Sequence, residues 1–124
     1  MKTVLLIDDE PELSELLQFL FKQFHYRVIV SPGTVSVAKA REINPTIIVL
    51  DNNFRRYTDI GFCLQLKNDP ETSHIPILLL SANDNWGQIT RDSMADGYLE
   101  KPFDISALQG TMEKILTRAN IPAA

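Results

Sequence analysis

One cysteine, Cys63, stands among the 124 residues. It excludes an internal disulfide, and without metal-binding neighbours it makes no zinc site either. Cys63 therefore reads as a small buried hydrophobe on a helix. No run approaches the ~18 to 20 apolar residues of a membrane span. The start, MKTVLLIDDE, meets acids too early for a secretory signal peptide. A cytoplasmic chain without membrane contact is expected. Positive charge is also scarce: 12 Lys and Arg face 16 Asp and Glu, for a net charge of -4. That balance argues against direct nucleic-acid binding, which uses clustered Lys and Arg to neutralise phosphates. Repeats, low-complexity tracts and internal linkers are absent too. Length leaves room for one domain, over residues 1–118, with 119–124 as a C-terminal tail or the start of a linker.

Short runs rich in Val, Ile and Leu recur at Thr3 to Ile7, Arg27 to Val30, Thr46 to Leu50, Ile75 to Leu80 and around Tyr98 and Leu99. Amphipathic segments separate them. Leu13, Leu16, Leu17, Leu20, Phe21 and Phe24 repeat at i, i+3, i+4, which predicts a helix from Pro11 to Phe24. Pro11 suits a first turn that has no use for its missing N–H, and Asp9 is the candidate cap. Further helices are expected at Val35 to Ile43, Ile60 to Lys67, Gly87 to Ala95 and Ile105 to Arg118. Thr58 or Asp59 would cap the third helix and Asp104 the last. Continuous apolar strands alternating with helices imply an α/β fold: a doubly wound, five-stranded parallel sheet covered on both faces, (βα)5 and flavodoxin-like.

In such a sheet, ligands bind beyond the carboxyl ends of the strands. The first strand ends at Asp8, Asp9 and Glu10, the third at Asp51, the fourth at Ser81 and the fifth at Lys101 and Pro102. Asp8, Asp9 and Asp51 brought within ~4 Å would repel by a few kcal/mol per pair at an effective dielectric near 20. Such a cluster calls for a cation. Magnesium prefers hard oxygen ligands, keeps several waters and bridges carboxylates to phosphate. The Lys101 ammonium would supply a second positive charge. Asp51 then reads as a nucleophile beside a metal. His25 and His74 have no neighbour at ligand spacing and read as loop or helix-end residues.

Through VLLIDDEP, IIVLDNN, DPETSHIPILLLSA and DGYLEKPF, in that order, the chain resembles a response-regulator receiver domain of two-component signal transduction. The resemblance implies a phosphoprotein switch and not an enzyme in its own right, although the domain assists its own phosphorylation and dephosphorylation. Asp51 would take a phosphoryl group from a sensor histidine kinase or phosphotransfer protein. Asp8, Asp9, Asp51 and the backbone carbonyl of Asn53 would hold Mg2+ or Mn2+. Ser81 and Lys101 would bind the phosphoryl oxygens, Tyr98 would rotate inward when Ser81 is drawn to them, and Lys101-Pro102 would be a cis peptide. Asn53 and Asn83 would tune dephosphorylation. A downstream protein or output domain would read the switch, and a phosphorylation-dependent homodimer is compatible with it.

Three positions depart from the family pattern. Arg55 stands where proline is usual and Asp59 where glycine is, so the loop carrying Arg55, Arg56 and Tyr57 is unusual. Ser81 to Lys101 is about two residues shorter than the common spacing, which predicts a short or mobile fourth helix with Trp86 at its start as partner anchor or packing residue. Serine in place of threonine at position 81 keeps the hydroxyl. Two other classes compete: a pseudo-receiver that is never phosphorylated and serves as an interaction module, with Arg55 imitating the activated charge pattern, and a flavodoxin-like cofactor binder. The latter would want a phosphate-cradling loop where this chain has DDEPE.

Overall fold

The computed structural model describes residues 2–51, 56–81 and 86–121, with the side chains of 56–59, 86, 87, 89 and 90 excepted. Expectations that fall on Asn53, Asn83 and Arg55 lie outside the described residues, as do the side chains of Arg56, Tyr57, Asp59 and Trp86.

Five strands alternate with five helices: β1 Thr3–Ile7, α1 Pro11–Gln23, β2 Arg27–Ser31, α2 Val37–Ile43, β3 Ile47–Asp51, α3 Arg56–Asn68, β4 Ile77–Ser81, α4 Trp86–Ser93, β5 Gly97–Glu100 and α5 Ile105–Arg118. All strand pairs are parallel, in the order β2-β1-β3-β4-β5. The order reverses between β1 and β3, which is where this architecture places a ligand site.

Alternation along the strands divides the core into two layers. Val4, Leu6, Ile47, Val49, Leu78 and Leu80 pack with Leu17 and Phe21 of α1 and Leu108, Met112 and Ile115 of α5. Leu5, Ile7, Ile48, Leu50, Ile77 and Leu79 pack with Ala40 of α2 and with Phe62, Cys63 and Leu66 of α3. Both faces are buried under helices, as continuous apolar strands require. Cys63 is fully buried and forms no disulfide.

Several helix starts differ from the sequence reading. Glu10, and not Asp9, is the residue that precedes α1, and its side chain makes no cap bond. Pro11 already occupies the first turn, so the preceding residue is forced into extended geometry and Asp9 falls one position too early. Helix α2 begins at Val37 because the Ser36 hydroxyl accepts from Lys39 N at 3.0 Å. Helix α3 spans Arg56–Asn68, so Thr58 and Asp59 lie inside it and not at its start. Interior Thr and Asp cost a helix no more than about 0.7 kcal/mol each. Asp104 caps α5 as expected, accepting from Ala107 N at 2.7 Å. The short fourth helix is confirmed at 8 residues. Beyond α5 the chain stays docked through Ile121, whose N–H donates to Leu116 O and whose side chain packs on the core. The tail is thus anchored further than its composition suggests.

Away from the strand ends that carry the acids, Lys67 Nζ meets Asp96 Oδ2 at 2.6 Å and Ile75 O at 2.8 Å, tying α3 to the turn before β5. Nearby, Gly97 lets α5 lie close to the sheet. A Cβ built there would fall 2.7 Å from Ile115 Cδ1 and 3.1 Å from its Cγ1. Gly97→Ala is expected to lower unfolding free energy by about 1–3 kcal/mol through overpacking. Urea melts of Gly97→Ala with and without Ile115→Val check this, since trimming Ile115 recovers part of the loss.

Candidate functional site

Strand register carries the chemistry to one edge. Ile7 pairs with Leu50, so the next residues on the two strands, Asp8 and Asp51, end neighbouring strands at one level. Asp51 pairs with Leu80, which places Ser81 one residue beyond. Ser81 pairs with Glu100, and Lys101 N donates to Ser81 O at 2.9 Å. By alternation Asp8 and Asp51 continue the rows of Val4–Leu6 and Ile47–Val49, on the α1/α5 side. Ser81 continues the row of Ile77–Leu79 on the other side, where the half-buried Tyr98 packs. The Lys101-Pro102 peptide is cis, as expected.

Asp51 is buried, and its Oδ1 accepts from Lys101 Nζ at 2.6 Å. Asp8 is buried as well, and its Oδ1 accepts from Glu10 N at 2.9 Å. In both carboxylates the second oxygen, Oδ2, is buried and has no hydrogen-bond partner among the described residues. Burial pushes the Asp51 carboxyl up to about 6, against the hydrogen bond and charge of Lys101 and with the help of the negative charges of Asp8 and Glu10. Burial also raises Asp8, opposed by its bond from Glu10 and by Lys101, and reinforced by Glu10 and Asp9. One ammonium does not balance the group.

The two orphaned oxygens fit a hard divalent cation. Among the described residues no group of three or more Asp, Glu, His or Cys is gathered as a metal cage. Hard carboxylate oxygens of this kind suit Mg2+, which takes one or two carboxylates and keeps several waters, better than zinc, which prefers nitrogen and sulfur. Asp9 and Glu10 are exposed at the rim. Ser81 is 4% exposed at the end of β4. The sequence reading thus placed Asp8, Asp51, Ser81 and Lys101 on one edge correctly. It missed the bond from the Glu10 amide to Asp8, although an Asp two residues before a backbone N–H is the signature of that local turn.

Residues 4–113 match the response regulator receiver domain, and the chain belongs to that family. It is 34% identical over 131 residues to RpaA of Synechocystis sp., described as a DNA-binding dual master transcriptional regulator, covering all of this chain and 53% of RpaA. It is 31% identical over 122 residues to protein PilH of Pseudomonas aeruginosa, covering 94% of this chain and 98% of PilH. The chain thus spans about half the length of RpaA and nearly all of PilH. In three dimensions it is similar to the receiver domain of the sensor histidine kinase PA1611 of Pseudomonas aeruginosa PAO1, with TM-score 0.79, 19% identity, and coverage of 96% of this chain and 98% of that one. That structure holds a magnesium ion in its active-site cleft. Receiver domains are the phosphoaccepting components of two-component signalling. Among the described residues no helix is long and apolar enough to cross a membrane.

Proposed function

We propose that Asp51 is the phosphoacceptor of this receiver and that its modification changes a protein-interaction surface. The observation that carries this reading is the state of its carboxylate: buried, with Oδ1 on the Lys101 ammonium at 2.6 Å and Oδ2 without a partner among the described residues. The donor is a phosphohistidine on a sensor histidine kinase or phosphotransfer protein. A carboxylate oxygen of Asp51 forms a bond to phosphorus as the P–N bond breaks. The departing imidazole nitrogen keeps the electron pair and takes up a proton. The product is an acyl phosphate.

Asp8, Asp9, Asp51 and the Asn53 carbonyl are the groups that would hold Mg2+ or Mn2+. When bound, the cation neutralises charge on the transferred group. Lys101 holds Asp51 ionised and oriented, and after transfer its ammonium serves the new oxygens. The Ser81 hydroxyl, one residue beyond the Asp51–Leu80 pair, follows the phosphoryl group. Tyr98, in the layer on Ser81's side of the sheet, is the neighbour that senses the shift. The phosphoryl group adds up to two negative charges and three strong acceptors, so these contacts differ between the two states. The output is read by a downstream protein or output domain, or by a second receiver in a phosphorylation-dependent dimer.

The test is intact mass after incubation with acetyl phosphate and Mg2+. A gain of ~80 Da for one PO3 unit, lost in Asp51→Asn, is expected. Undiminished gain in the variant overturns the assignment of Asp51. No gain in either protein, with acetyl phosphate or with histidine kinases, turns the reading to the unphosphorylated interaction module.

A further inference from the structure

The Asp8 carboxylate is oriented by the chain that follows it. Its own N–H donates to Ser31 O at 3.0 Å, which ties the end of β1 to β2. The chain then bends at Asp9. Across that bend the Glu10 N–H donates to Asp8 Oδ1 at 2.9 Å, while Oδ2 has no partner among the described residues. Glu10 is extended, at φ −99° and ψ 107°, and its side chain makes no cap bond. Its carbonyl accepts the first helical bond of α1, from Ser14 N at 2.9 Å.

Glutamate is not among the residues favoured before a helix, whereas aspartate is. Asp9 stands one position earlier, and a helix started from it would gain a side-chain cap and one more residue. Pro11 blocks that start. Its ring disfavours helical geometry at the preceding residue, so Glu10 stays outside α1. A capping residue has extended backbone. Asp9 in that role would lose its bend and carry the Glu10 amide away from Asp8, and the carboxylate would be free to turn.

We propose that Pro11 is a positioning residue of the Asp51 edge. By denying α1 the Asp9 cap, it keeps the Glu10 amide on Asp8 Oδ1 and leaves Oδ2 to the cation. The inference rests on the reading of Asp8 as a ligand of Mg2+ or Mn2+. Groups that orient a metal ligand through a hydrogen bond matter nearly as much as the ligand, and losing one weakens metal binding by roughly 10–100-fold.

The experiment takes Pro11→Ala and reads it in two ways. Mn2+ alone is titrated into each protein, with the free ion followed by electron paramagnetic resonance. Pro11→Ala is expected to bind it about tenfold more weakly than wild type. Hydrogen exchange at the Glu10 amide is followed by 1H–15N NMR in metal-free buffer. It is expected to be faster in Pro11→Ala, while β1 and the second half of α1 exchange as in wild type. Adding Asp9→Ala to Pro11→Ala removes the competing cap and is expected to restore slow exchange at Glu10. A helix start weakened in general would not be rescued by the loss of a second favourable residue. Unchanged Mn2+ affinity in Pro11→Ala, an unchanged Glu10 amide, or a double variant that exchanges as fast as the single one overturns the proposal. If wild type takes up no Mn2+, the metal reading of Asp8 fails, and exchange at Glu10 still decides whether Pro11 holds the carboxylate.

Discussion

Asp51→Asn is expected to stabilise the metal-free protein at pH 8 by about 2 kcal/mol. The Asp51 carboxyl is raised from 3.8 to about 6, chiefly by burial. A group with its folded value raised contributes stability that is fully present below the unfolded value and lost as pH climbs through the folded one. Wild type therefore loses stability between pH 3.8 and about 6. Asparagine keeps the shape and carries no charge to lose. A shift of roughly two units corresponds to about 3 kcal/mol. The gain is smaller because Lys101 gives up a charged partner for a neutral one. Urea midpoints at pH 4 and pH 8 check this: the two proteins coincide at the lower pH and separate at the higher. Saturating Mg2+ is expected to narrow the gap by stabilising only the wild type. A lower midpoint for Asp51→Asn in metal-free buffer at pH 8 would show that burial does not strain this carboxylate. Stability given up at the candidate site is the mark of a residue kept for chemistry.

That strain was legible in outline before any coordinates. An apolar run that ends in Asp51, and another that ends in Asp8, can only bring the two acids together once the sheet order is known. The parallel sheet followed from alternating strand and helix patterns and the handedness of crossovers, while the order that sets β1 beside β3 came from the structure. Lys101 was legible for the same reason, as the residue after a β5 that closes the row. Long-range register placed all of these without local detail. Local detail was where the reading failed. Thr58 and Asp59 have the composition of a cap, but a cap is a backbone event, and helix α3 runs through both from Arg56. Asp9 has the composition too, yet Pro11 fixes Glu10 as the residue before the helix. The Lys67–Asp96 pair left no signal, because it depends on side chains that converge from elements far apart in sequence.

The second large effect concerns the partner of Asp51. Lys101→Ala is expected to cost about 3 kcal/mol of stability at pH 8 in metal-free buffer, because it leaves a buried carboxylate without its counter-charge. Lys101 Nζ lies 2.6 Å from Asp51 Oδ1, and the Lys101 side chain is only 19% exposed. Without the ammonium the Asp51 carboxyl rises further above 6, so the cost falls away below that pH, where the acid is neutral. Adding Asp51→Asn to Lys101→Ala removes the orphaned charge, and the double variant is expected to regain most of the loss. This non-additivity separates a charge effect from simple loss of packing. The same variant tests the switch. Driving a two-state equilibrium from 1:99 to 99:1 takes about 5.5 kcal/mol of differential interaction. A neutral hydrogen bond to Ser81 supplies only about 1 kcal/mol. Charged contacts must supply most of the remainder, and Lys101 is the ammonium in place to make one. Lys101→Ala is therefore expected to retain some phosphoryl uptake by mass while its Trp86 fluorescence no longer follows the modification. A normal fluorescence change in the labelled variant would move the coupling from Lys101 to the Ser81 and Tyr98 side of the sheet.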